Sequence, residues 1–162
     1  MNKYLLLFFY AVAISGCASM SPASKDVQKT FTYDYEVESL DKEELWVRAR
    51  NFFAEEYGDS RSVLRVQDRE ESTLIGRAIE SWYLSSLGMK TECLSEYNVR
   101  FQSKEGRARL KLELMEGVPA LSDCTGWPWP TKNGYDSIVA SFEQISQRLE
   151  EALKKSSSFS DF

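Results

Sequence analysis

The chain has 162 residues, enough for one domain and few for two, and its 43% hydrophobic and 13% aromatic content argues against disorder. The formal net charge of −5 gives no electrostatic reason to bind nucleic acid, because that affinity depends on neutralising phosphates with Lys and Arg. Histidine is absent, which removes the commonest general base and the commonest metal ligand, so we expect neither a metal nor a cofactor.

An apolar run near the N-terminus, residues 4–14, follows a short start with one basic side chain. About eleven residues are too few to cross a bilayer core as a helix, which takes about twenty, and they suit the central region of a secretory signal. The sequence Ile-Ser-Gly-Cys that ends at Cys17 then resembles the lipobox of bacterial lipoproteins. The resemblance implies removal of residues 1–16 and lipidation of Cys17. The alternatives are ordinary signal cleavage after Ala18 and an uncleaved anchor.

The lipobox resemblance also implies a location in the bacterial cell envelope. Several acyl chains at Cys17 would hold the protein at a membrane, since each buried CH₂ contributes about 0.8 kcal/mol. Ala18 resembles the residues that send enteric-type lipoproteins to the outer membrane, so we expect the domain to face the periplasm from that membrane. Residues 17–30 are polar and Ser-rich without periodicity, which indicates a flexible tether between lipid and domain.

The domain itself is predicted over residues 31–155 and begins with a strand and a helix. Residues 31–38 alternate between apolar and polar side chains, which predicts a half-buried strand. Its predicted core-facing residues are Phe31, Tyr33, Tyr35 and Val37. Helical spacing over residues 41–57 predicts a helix, with Asp41 as its N-cap and Gly58 as its stop. Its apolar face comprises Leu45, Trp46, Ala49, Phe52, Phe53 and Tyr57.

Four further strands and a second helix complete the pattern. The strands are predicted at residues 63–67, 73–83, 92–103 and 106–116, with a tight turn at 104–106. The second helix is predicted at 135–155, and residues 156–162 are expected to fray. The order β-α-β-β-β-β-α predicts a two-layer α+β domain, an antiparallel sheet with both helices on one face and a charged face in water.

Several segments of this pattern resemble a known family. They are the capped helix start at residues 41–46, the segment 68–78 and the hairpin 99–109. Together they resemble a bacterial domain-of-unknown-function family that is described as having a TATA-binding-protein-like fold and is common among short exported lipoproteins. The resemblance covers roughly residues 31–115. The family has no established activity, so the resemblance implies a fold and not a function.

Two cysteines remain besides Cys17. An exported protein meets an oxidising compartment, which favours a disulfide between Cys93 and Cys124. The predicted hairpin places Cys93 opposite about residue 116, a short loop away from Cys124. The alternative is a buried free thiol at Cys93 with Cys124 exposed. Two thiols without histidine are too few for a metal site.

A long irregular segment, residues 117–134, contains Trp127 and Trp129, each followed by a proline. Loops of this length in a compact domain are usually functional or disordered. A tryptophan pair in a stiff loop suits a partner-binding anchor. The alternative is that one or both indoles fold back and cover the edge of the core between the sheet and the second helix.

No catalytic motif is visible in the sequence. The acidic pairs fall mostly on predicted helix faces or turns, and no serine has a histidine partner. We therefore expect a non-enzymatic, lipid-anchored envelope protein that acts by non-covalent binding as an accessory or assembly component, with an envelope protein as its possible partner. The alternatives are a small-ligand-binding module and a hydrolase with an unrecognised carboxylate site.

Overall fold

The computed structural model of the chain describes residues 22–23, 26–58, 63–86 and 88–155. The predicted signal peptide, Cys17 and the tail 156–162 predicted to fray lie outside the described residues. Within them the elements follow in the predicted order, and the predicted α+β fold is confirmed. They are β1 (Thr30–Glu36), α1 (Lys42–Glu56), β2 (Leu64–Asp68), β3 (Thr73–Ser86), β4 (Met89–Lys104), β5 (Arg107–Leu114) and α2 (Lys132–Lys154).

The five strands form one antiparallel sheet in the order β1-β5-β4-β3-β2. Four consecutive strands, β2 to β5, are joined by hairpins, whereas β1 lies at an edge beside the last strand. The β4–β5 turn is tight, and Gly106 adopts φ 69° there, a left-handed conformation that glycine takes without a Cβ clash. The turn predicted at residues 104–106 is therefore confirmed.

Helix α1 begins and ends where the sequence predicts. The Asp41 carboxylate accepts a hydrogen bond from the Glu44 backbone N–H at 2.7 Å, which satisfies one of the unpaired N–H groups of the first turn. At the other end the Tyr57 N–H donates to the Phe53 carbonyl at 3.2 Å, and Gly58 follows with φ 64°. The cap and the stop are thus both present.

A guanidinium from α1 caps the end of α2. Arg48 Nη1 donates to the carbonyl oxygens of Leu153 at 2.8 Å and Lys155 at 2.7 Å. Its Nε donates to Glu44 at 2.8 Å. The last carbonyls of a helix have no partner within the helix, so Arg48 satisfies two of them and joins the two helices through polar contacts.

Both helices pack on the same face of the sheet, where aromatic rings fill the core. The ring of Phe142 in α2 lies 5.4 Å from that of Phe31 and 4.8 Å from that of Tyr97. The ring of Phe53 in α1 lies 6.3 Å from that of Phe101. These pairs join the two helices to inward-facing residues of β1 and β4, and the predicted two-layer arrangement follows from them.

Some boundaries differ from the prediction. The β3–β4 hairpin is longer by three residues on each strand, and α2 begins at Lys132 because Thr131 accepts a hydrogen bond from the Gly134 N–H at 3.1 Å. Strand β1 ends at Glu36, and in the turn that follows the Leu40 N–H donates to the Val37 carbonyl at 3.0 Å. No helix in the part of the chain that the structure describes is both long and apolar enough to span a bilayer.

The opposite face of the sheet is charged where β1 and β5 meet and more apolar along β2 and β3. Asp34 accepts two hydrogen bonds from Arg109, at 2.5 and 2.9 Å, and this ion pair lowers the pKa of the Asp34 carboxyl. Val66 and Ile79 are exposed on the same face. The core receives the other face of β3, which carries Leu74, Ala78 and Trp82.

Candidate functional site

A disulfide joins Cys93 in β4 to Cys124 in the loop after β5, with a Cα–Cα distance of 5.3 Å. Both residues are buried. The bridge that the sequence favours is thus present in the structure, and the alternative of an exposed Cys124 is not. It fixes the loop 115–131 to the sheet.

The backbone of this loop continues the edge that β5 leaves open. Strand β5 ends at Leu114, opposite Tyr97, so the first half of β4 extends past it. There the Met115 N–H donates to the Glu96 carbonyl at 2.9 Å, and the Leu94 N–H donates to the buried Ser122 hydroxyl at 3.1 Å. The loop therefore satisfies β4 backbone groups that would otherwise form an open edge.

The two tryptophans of the loop have different environments. Trp129 is 3% exposed and belongs to the core, whereas Trp127 is half-buried and packs against it. Of the two predicted alternatives, covering the core edge is the one that holds for Trp129. Trp129 is therefore corrected from a partner-binding candidate to a core residue, because its indole is not available to a partner. Trp127 keeps some exposed surface and remains a candidate.

The N-terminal segment is attached to this loop. The Ala23 N–H donates to the Pro130 carbonyl at 2.8 Å, and Pro22 pairs with Thr131. Lys29 Nζ lies 4.6 Å from the centre of the Trp129 ring, within the range of a cation–π contact. The described part of the predicted 17–30 tether is thus not free, because the loop offers it backbone partners and an aromatic face that the sequence alone does not reveal.

Close packing on Trp82 holds the start of α2 beside the loop. The Trp82 Nε1–H donates to the buried Ser95 hydroxyl at 3.1 Å. A Cβ on Gly134 would lie 2.6 Å from the Trp82 ring, closer than two carbon atoms can approach. Only glycine lets the first turn of α2 rest on the indole, so the loop that precedes this turn has a fixed position.

Exposed apolar side chains gather at this end of the molecule. The structure describes five large hydrophobic residues that are well exposed, and three of them lie on the loop or on the part of the hairpin beyond β5. Their exposed fractions are 83% for Leu121, 68% for Met89 and 56% for Tyr83. The sequence pattern missed Leu121 and Met89, which lie in segments without periodicity.

One inward-facing carboxylate, that of Glu80, was also not predicted from the sequence. Glu80 lies on the core-facing side of β3, between Ala78 and Trp82. Burial raises the pKa of the Glu80 carboxyl, and a hydrogen bond with Ser141 partly opposes this shift. The signal was in the sequence, because an acidic residue interrupts the apolar face of a strand that alternates with period two.

The phenol groups near Glu80 act as hydrogen-bonding groups rather than as nucleophiles. The Tyr57 and Tyr97 hydroxyls share a hydrogen bond at 3.2 Å, and burial raises the pKa of Tyr57 to about 12 and that of Tyr97 further. Both phenols are therefore protonated at neutral pH and act as hydrogen-bonding groups. Among the described residues, no group of three His, Cys, Asp or Glu side chains could hold a metal ion.

Comparisons with known proteins agree with this architecture. A TBP-like protein from Parabacteroides distasonis ATCC 8503 superimposes with a TM-score of 0.60 at 11% identity, covering 78% of this chain and 93% of that one. A DUF4468 family protein from Bacteroides ovatus ATCC 8483 superimposes with a TM-score of 0.51 at 11% identity, covering 85% and 92%. These similarities show the fold. No curated protein matches the chain.

The domain of unknown function DUF4468, described as having a TBP-like fold, matches residues 31–116. The match includes all five strands and α1 and ends just after β5. Residues 117–131 of the loop and α2 therefore lie outside the matched residues. The family resemblance predicted from the sequence is confirmed: the chain belongs to the DUF4468 family.

Proposed function

We propose that the protein is a lipid-anchored component of the bacterial cell envelope that acts by non-covalent binding, as an accessory or assembly component. The observation that carries the proposal is Cys17, which follows an apolar run of signal-peptide length and two small residues. Acyl chains on this cysteine would hold the domain at the membrane. Ala18 favours the outer membrane, with the domain in the periplasm.

The disulfide supports export independently of the lipobox. Structural disulfides form and persist in oxidising compartments such as the periplasm and are rare in the cytosol. Cys93 and Cys124 are paired and buried in the same core as Trp129. A cytosolic protein would gain little from this arrangement, whereas an exported one gains a fixed loop.

The lipid anchor is tested by comparing Cys17→Ser with the wild-type precursor in a Gram-negative host. Wild-type protein should incorporate labelled palmitate, lose residues 1–16 and fractionate with membranes. Cys17→Ser should remain unlabelled at precursor mass. The double variant Cys93→Ser/Cys124→Ser is the matched control, because it removes two cysteines and should leave the label in place. Unlabelled wild-type protein in the soluble periplasm would refute the anchor.

Non-covalent binding is tested in the envelope itself. Lysine-directed crosslinking of intact cells that express the wild-type protein, followed by mass spectrometry, should yield a reproducible partner. The same experiment with Cys17→Ser is the control, because it identifies the crosslinks that form without the lipid anchor. If wild-type protein gives no crosslinked species beyond those of the control, the role in an envelope assembly is wrong.

A further inference from the structure

We infer that the anchored domain rests with one particular end on the lipid surface. This end, which we call the loop end, consists of the loop 115–131 and the part of the β3–β4 hairpin that extends past β5. Leu121 and Met89 are the side chains that would contact lipid. The inference rests on the proposed lipidation of Cys17 and adds an orientation to it.

The first argument is the short distance between the lipid and the domain. Pro22 pairs with Thr131, and the Ala23 N–H is hydrogen-bonded to Pro130, so these two residues attach the chain to the loop end. Pro22 lies five positions after Cys17, and a fully extended chain covers at most about 3.6 Å per position. Pro22 therefore lies within roughly 18 Å of the lipidated residue.

This reach is shorter than the domain. The segment from Thr30 to Lys154 comprises 125 residues, and a compact domain of that size is roughly 35 Å across, from its expected radius of gyration. The far end of the domain lies at the Gly106 turn. If this end faced the membrane, the loop end would stand about 35 Å from the membrane. The attachment at Thr131 excludes such an orientation once Cys17 is in the bilayer.

The second argument is the difference between the two ends of the sheet. At the loop end Leu121 is 83% exposed and Met89 68%, and the loop that carries Leu121 is fixed by the disulfide and by the Ser122–Leu94 hydrogen bond. Exposed apolar side chains on a fixed loop suit an apolar partner.

The lining of the far end includes none of the well-exposed large hydrophobic residues that the structure describes. Around the Gly106 turn, a surface depression of about 560 Å³ is lined mainly by acidic and small polar side chains. Its acidic members are Glu36, Glu38, Asp41 and Glu105, beside a single arginine, Arg107. The loop end carries acidic side chains as well, among them Glu92, Glu116 and Asp123. Its exposed apolar residues, and not its charge, therefore favour the same orientation as the short attachment.

The test uses the full-length lipidated protein in vesicles of phosphatidylethanolamine and phosphatidylglycerol that contain a spin-labelled lipid. Leu121→Cys and Met89→Cys each carry an environment-sensitive fluorophore, and Glu105→Cys at the far end is the matched control. All three positions are exposed, so the substitutions should leave the fold intact. Mass spectrometry first establishes that Cys17 is acylated and that Cys93 and Cys124 are paired.

The expected result is quenching of the fluorophore at positions 121 and 89 that is at least threefold stronger than at position 105. Equal quenching at all three positions, or stronger quenching at 105, would overturn the orientation while leaving the anchor intact. Protection of position 121 from aqueous iodide without quenching by lipid would mean that a protein covers it, which also overturns the inference. Absence of acyl chains on Cys17 would instead refute the proposed function.

Discussion

Removing the Cys93–Cys124 disulfide should cost a large part of the stability of the domain. The two cysteines are separated by 31 positions. In the chain-entropy model, closing a loop of that length removes about 12 cal/mol/K from the unfolded ensemble, which corresponds to about 3.7 kcal/mol at 25 °C. Native domains are stable by about 5–15 kcal/mol, so the bridge is a substantial fraction of the total.

The same figure predicts a shift in melting temperature. For the 125 residues from Thr30 to Lys154, an unfolding entropy of about 2.1 cal/mol/K per residue gives about 0.26 kcal/mol/K. Dividing the loss by this entropy predicts that Cys93→Ala/Cys124→Ala melts about 14 °C below the oxidised wild-type protein. Guanidinium denaturation followed by tryptophan fluorescence measures the free energy, and calorimetry measures the temperature.

Reduction of the wild-type protein distinguishes the stability that comes from the covalent bond from the stability that comes from the two buried sulfur atoms. Reduced wild-type protein retains both buried sulfurs and loses only the covalent link, so it should be nearly as unstable as the double variant. The double variant should not respond to the reductant at all. If the oxidised and reduced wild-type proteins differ by less than about 1 kcal/mol, the chain-entropy argument is wrong and the hydrogen bonds of the loop are sufficient to fix it.

Three further substitutions test other contacts, each by guanidinium denaturation. Arg48→Met removes two hydrogen bonds to carbonyls at the end of α2 and should cost roughly 1–3 kcal/mol, whereas no loss would mean that water satisfies these carbonyls equally well. Gly134→Ala places a Cβ 2.6 Å from the Trp82 ring and should cost roughly 1–2 kcal/mol despite the better helix propensity of alanine. A neutral or stabilising result would show that the indole can move away. Glu80→Gln should stabilise the protein at pH 7, because burial raises the folded-state pKa of Glu80 and its ionisation therefore opposes folding. Since the charge cost of Glu80 vanishes once it is protonated in both states, this gain should disappear as the pH falls below the ordinary value of 4.5, and a gain independent of pH would exclude ionisation as its cause.

Where the sequence contains a periodic signal, the fold could be predicted from it. Asp41 and Gly58 mark the ends of α1, and the alternation in β5 marks its inward face, because capping and pleating act within a few residues. The turn at Gly106 could be predicted for the same reason. The start of α2 could not, since Gly134 is a poor helix former and its place in the helix depends on contact with Trp82.

The candidate site depends on long-range contacts and was predicted only in part. The expectation of an oxidising compartment favoured the Cys93–Cys124 pair, but the burial of Trp129 depends on how the loop folds back over the sheet. Nothing in the sequence predicts the hydrogen bond between Ala23 and Pro130, because a Ser-rich polar segment has the same composition whether it is free or paired. Glu80 did leave a signal, the interruption of an apolar strand face.

The placement of β1 beside β5 also bears on how the chain folds. Strands β2 to β5 pair through adjacent hairpins, whereas Thr30 must find Glu113 across most of the domain. Local pairings form before distant ones, because closing a long loop costs more entropy. We therefore expect the four-strand meander to nucleate the sheet and β1 to join late. A chain acylated before β5 has left the translocation channel would complete its sheet while already attached to the membrane.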